Sequence, residues 1–146
     1  MTTSPVPHLD IRPVLGMDLK SLRADPVRQA HTILRVGFTA APIIAGADKF
    51  THLLVDWDKY LAPQIAAIVG NGHMFMLIVG VIEIVAGIGV AIWPRIFGYV
   101  VCLWLLGIVL NLLIGGFYYD IALRDFGLSL GALALARLSG DPRFGH

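Results

Sequence analysis

The sequence predicts an all-α membrane protein: a four-transmembrane-helix bundle with a short interfacial helix between spans one and two, and both termini cytoplasmic. Three observations predict it. Hydrophobic residues make up 57% of the chain and charged ones 14%, against about 45–50% and about 25% in soluble domains. Mean hydropathy is +0.77, which excludes a disordered chain as well, because such chains are polar and highly charged. Four apolar runs approach the ~20 residues needed to cross a hydrocarbon core.

Residues 1–28 read as a polar cytoplasmic segment punctuated by Pro5, Pro7, Pro13 and Pro26. No apolar core follows the start, so a cleaved signal peptide is not expected. Asp18 to Arg23 can form a short helix closed by Asp25-Pro26. The membrane domain covers 29–139. Its first span is 31–50 and contains Pro42, which membrane helices tolerate when neighbours satisfy the freed carbonyl. Between spans one and two, Leu53, Leu54, Trp57, Tyr60 and Leu61 recur at helical spacing, the pattern of a helix lying in the interface. Pro63 opens a second short helix, which Asn71-Gly72 ends. Span two is 72–93, span three 96–117 and span four 121–138. Short connections around Pro94 and Tyr119 make the last three antiparallel neighbours. Plentiful glycines predict close helix approach and little room for a large cavity. Residues 140–146 form a cytoplasmic tail.

Orientation follows from Lys and Arg near the spans. Arg12, Lys20, Arg23, Arg28, Arg95, Arg137 and Arg143 fall on one side. Lys49, Lys59 and Arg124 fall on the other, diluted by five aspartates. Trp57, Tyr60, Trp93, Tyr118 and Tyr119 lie near span ends, where aromatic belts form.

A net charge of +1 gives no basic stripe for nucleic acid. The single cysteine, Cys102, excludes an internal disulfide and a CxxC pair, and reads as a buried hydrophobe. No phosphate loop, dinucleotide fingerprint or nucleophile set is present, so an enzyme acting alone is not expected.

Ionisable groups inside spans are costly and call for a role. Glu83 lies deepest, roughly 16 Å into span two at ~1.5 Å per residue. Arg35, about one turn inside span one, can reach toward Glu83 or snorkel to the interface. Asn111 in span three is read as bonding another helix. Asp48, Lys49, His52, Asp56, Asp58 and His73 form an outer polar cluster. Arg124 and Asp125 can pair with each other or with that cluster. His52 and His73 share a depth at which haem iron or a metal could sit. With no His-x-x-x-His pair and no dense carboxylate set, however, no metal and no cofactor are predicted. Quinone and haem remain the alternatives. His8, His31 and His146 read as ordinary.

Leu34-Arg35, the run Ala45-Gly46-Ala47-Asp48-Lys49-Phe50, then Gly80, Glu83 and Gly87, and finally Gly131-Ala132-Leu133-Ala134-Leu135 together resemble the DoxX-like family of small four-helix membrane proteins. The resemblance covers roughly residues 31–138. The loop from Asp48 to Leu61 is longer than the family's pattern. The resemblance implies a bacterial inner membrane protein in the setting of membrane redox complexes. The expected function is a non-catalytic integral subunit of a respiratory or photosynthetic electron-transfer complex, stabilising or docking partner subunits. The alternative is a quinone-interacting subunit similar to the DoxX/DoxD part of thiosulfate:quinone oxidoreductase. A small transporter is disfavoured, because the chain lacks the broken paired helices that repeat-built transporters use. Disulfide–quinone chemistry is excluded for want of cysteine pairs.

Overall fold

A computed structural model of the chain describes residues 25–144. The short helix expected at Asp18–Arg23, and the tail residues His8 and His146, lie outside the described residues. The described part is all-helical. Five α-helices follow one another: α1 (Pro26–Thr51), α2 (Pro63–Val69), α3 (Gly72–Ile92), α4 (Pro94–Gly115) and α5 (Tyr119–Leu138). Two 3-10 turns, Trp57–Tyr60 and Pro142–Phe144, complete the path. Among the described residues, α1, α3 and α4 are long and apolar enough to cross a membrane. α5 has the length but carries Asp120, Arg124, Asp125 and Arg137.

Local chemistry sets the helix ends. Asp25-Pro26 opens α1. The Asp25 carboxylate caps the N–H groups of Val27 (3.0 Å) and Arg28 (3.4 Å), and Pro26 fits the first turn, where no N–H partner exists. α1 therefore starts five residues before the expected span, and the boundary at 28/29 falls inside it. α2 ends at Gly70 (φ +80°), and Asn71 caps α3 by accepting from Met74 N (3.1 Å). Asn71 thus begins a helix instead of ending one. Trp93 alone joins α3 to α4, and Pro94 occupies the first turn of α4. The expected amphipathic interfacial helix is not formed over Leu53–Leu61. Only Trp57–Tyr60 turns, as a 3-10 segment, and Leu53 and Leu54 are exposed.

The four long helices make a ring in which chain neighbours run antiparallel. The closest pairs are α1 with α3 and α4 with α5. Glycine makes the first approach possible. A Cβ on Gly46 would lie 2.5 Å from the Gly80 carbonyl oxygen, and one on Gly80 would lie 2.8 Å from the Gly46 carbonyl. One end of the α4–α5 seam uses the same device, with Gly98 against Ala136. The core between the pairs holds Ala86, Val90, Val101, Cys102, Ala132 and Leu135, with Phe38 and Phe97 against it. Cys102 is buried and free, as expected.

At the end where α1 begins, buried His31 holds the chain's far end. Its Nε2 lies 2.9 Å from Ser139 Oγ, and its ring stacks on Phe144 with centroids 4.2 Å apart. Arg143 reaches back to Asp25 (3.7 Å). Arg143 also donates to Asp141 and holds that carboxyl down at about 2, so the charged pair persists at neutral pH.

Candidate functional site

The last turn of α1 carries two adjacent charges with different tasks. Asp48 is 5% exposed. Its carboxylate accepts from the backbone N–H groups of Leu53 and Leu54 (both 2.9 Å) and Val55 (3.4 Å). It accepts also from Thr51 Oγ1 (3.2 Å) and the Trp57 indole N–H (2.7 Å). The backbone can fold around this carboxylate because His52 takes the left-handed conformation (φ 51°) at the end of α1. One side chain thereby supplies acceptors to a whole loop, which explains why that loop is not helical: its N–H groups already have a partner.

Lys49 points the other way. Its Cβ lies level with Gly80, since a Cβ there would be 3.2 Å from it, and its ammonium reaches Glu83 Oε2 at 2.6 Å, one turn further along α3. The Lys49 side chain is 2% exposed and the Glu83 side chain 9%. The ammonium also lies 3.9 Å from the Trp57 ring centroid, a cation–π contact that is stronger when desolvated. The buried indole N–H of Trp104 has no hydrogen-bond partner, and Trp104 and Glu83 line the same space. On α5, Arg124 Nε bonds the buried Asp125 carboxylate at 3.0 Å.

These groups border a space of about 420 Å³ between α1, α3, α4 and α5, walled by Phe38, Ala41, Glu83, Trp104, Arg124 and Leu128. A neighbouring space of about 260 Å³ extends it to Lys49 and Tyr60. The space is a cleft rather than an enclosed cavity, because Gly37, Ala41 and Leu128 on its rim are exposed. Gly46 and Gly80 draw α1 and α3 together, but Gly37, Ala41 and Ala45 line the cleft with small side chains that leave it open.

The sequence-derived residues separate into three places. Glu83 is at the centre, paired with Lys49 and not with Arg35. Arg35 donates to the Ala91 carbonyl, near the opposite end of α3. Asp48 and Lys49 leave the outer cluster and turn inward. Asn111 bonds backbone rather than a facing helix: its amide donates to the Tyr60 carbonyl (2.8 Å) and accepts from Ala62 N (2.9 Å), pinning the loop to α4. His52, Asp56 and His73 stay at the loop surface. Sequence reasoning misses Trp57 and Trp104 as site residues. A tryptophan beside an apolar span reads as belt or core, and only the fold shows it meeting a charge.

Removing the loop's central acceptor is a direct test of its role. Asp48→Ala should cost about 2–3 kcal/mol, from the loss of charged hydrogen bonds and the stranding of the N–H groups they satisfied. Limited proteolysis should then cut between Thr51 and Trp57, where the native chain resists.

The fold and site define an all-helical protein with three helices fit to cross a membrane and an ion pair buried between two of them. No family model, curated protein or solved structure matches the chain.

Proposed function

We propose that the chain is a four-span protein of the bacterial cytoplasmic membrane, with both termini cytoplasmic. It serves as a non-catalytic subunit that stabilises or docks partners in a respiratory or photosynthetic electron-transfer complex. The observation carrying the non-catalytic reading is the state of the buried ionisable groups. Among the described residues, each has a partner within the chain: His31 with Ser139, Asp48 with its loop, Lys49 with Glu83, and Asp125 with Arg124. The Lys49–Glu83 pair links the helices that carry it, as ionisable groups inside membranes do when they pair with one another. The electron-transfer setting rests on the resemblance to the DoxX-like family.

α5 is read as the fourth span because it has the length of one and runs antiparallel against α4, with Asp120 and Arg137 near its ends and Arg124 paired with the buried Asp125. Arg28, Arg95, Arg137 and Arg143 lie at the end holding the termini. The loop end has Lys59 and Arg124, while Lys49 is neutralised by Glu83. That bias supports cytoplasmic termini.

One observation favours a second reading, a quinone-interacting subunit. The cleft is mostly apolar, yet it brings Glu83 and the Trp104 N–H to one wall, a combination suited to a flat ring with a polar edge. Glu83→Gln separates the two readings. In the host membrane it should lower the amount of assembled complex and leave turnover per assembled complex unchanged. Loss of quinone reduction with assembly intact would reject the scaffold reading in favour of the quinone one.

A further inference from the structure

We propose that His52, Asp58 and His73 form a binding site for a divalent transition-metal ion, with zinc its best fit, at the loop end of the bundle. The three residues come from the left-handed cap of α1, the 3-10 turn and the first turn of α3. The fold nevertheless brings one ligand atom from each to within 4.8 Å of the others. Ligands about 2.0–2.2 Å from zinc sit about 3.4 Å apart across a tetrahedron, so small side-chain rotations close the set. The two imidazole rings are stacked with centroids 5.7 Å apart and an interplanar angle of 23°. His73 Nδ1 lies 2.8 Å from Asp58 Oδ2.

A second, independent observation points to a cation. The other carboxylate oxygen of Asp58, Oδ1, is buried and has no hydrogen-bond partner. A carboxylate oxygen withdrawn from water without a donor is costly, and a metal ion would satisfy it. Asp56 Oδ1, 4.0 Å from His52 Nδ1, adds negative charge beside the site. Two imidazoles and one carboxylate suit zinc and its first-row neighbours, and suit magnesium or calcium poorly. Three protein ligands leave a position for water or for a donor from a partner. The ion would tie the end of α1 to the start of α3 across the loop that Asp48 shapes.

The test uses the full chain, purified in mild detergent with a tag free of histidine, stripped with chelator and titrated with zinc chloride by calorimetry. One equivalent should bind. His52→Ala, His73→Ala and Asp58→Asn should each weaken binding at least tenfold, while His31→Ala leaves it unchanged. Magnesium at the same concentration should give no heat of binding. Gel filtration and circular dichroism of each variant identify those that have kept the fold, and only these are compared. Absence of saturable zinc binding overturns the proposal. So does zinc binding that is equal in the native chain and in a folded His52→Ala/His73→Ala double variant.

Discussion

Replacing Glu83 with alanine is expected to destabilise the folded protein by about 3–5 kcal/mol, the usual consequence of leaving one member of a buried pair without its partner. The Lys49 ammonium would keep its place beside the Trp57 ring, 2% exposed, with its counter-charge gone. Unfolding in a graded mixture of mild detergent and dodecyl sulfate, followed by circular dichroism, measures the change. Lys49→Met should cost a similar amount, because it strands the carboxylate. The double variant Lys49→Met/Glu83→Leu should recover most of the loss, since apolar replacements of comparable volume often match a buried ion pair. If both single variants unfold with the native midpoint, the pair does not hold the bundle.

The second large effect is expected at the α1–α3 crossing. A side chain on Gly80 would place its Cβ 2.8 Å from the Gly46 carbonyl oxygen and 3.2 Å from both Lys49 Cβ and Phe50 Cε2. Backbone cannot rotate out of the way as a flexible side chain can, so the helices must separate. Gly80→Leu should cost at least the ~1–3 kcal/mol typical of overpacking, and more if the displacement also pulls Lys49 from Glu83. Gly107 provides the control, because nothing lies within 4 Å of a Cβ there. Gly107→Ala should be neutral or stabilising by up to ~1 kcal/mol through helix propensity. The same detergent titration compares the two, and equal midpoints would contradict the close-crossing account.

Much of the fold was legible because the chain's punctuation is explicit. Pro94 has a conformational preference that decides a helix end, and the ends at α3 and α4 fall within two residues of the expected spans, although Asn71, expected to end a helix, in fact follows it. The misreadings have physical causes. The expected first span starts five residues too late because the apolar run begins at His31, whereas the Asp25 cap and Pro26 start α1 on a more polar stretch ahead of it. The helical spacing of Leu53 to Leu61 was overridden by a single carboxylate, since Asp48 offers the loop N–H groups an acceptor that a helix would have had to supply.

The candidate site was half visible. Glu83 stood out by its depth, but its partner did not. Lys49 is nearer the end of α1 by position along the chain. Its side chain leans toward the helix N-terminus, as helical side chains do, and its long stem carries the charge inward. Sequence patterning makes every small residue look like a close-packing device. In the fold Gly46, Gly80 and Gly87 are used that way, whereas Gly37, Ala41 and Ala45 leave the space that becomes the cleft. Spacing alone does not distinguish a small residue facing a neighbour from one facing a void.

The central claim is that these charges hold together a scaffold made to sit among other subunits. The mass of the native particle tests it most directly. The tagged protein would be extracted from its own membrane in mild detergent, purified once, weighed by native mass spectrometry, and its co-migrating chains identified. The account predicts a large particle containing redox subunits in fixed stoichiometry with this chain. A lone monomer, or a small assembly of this chain with itself, would contradict it.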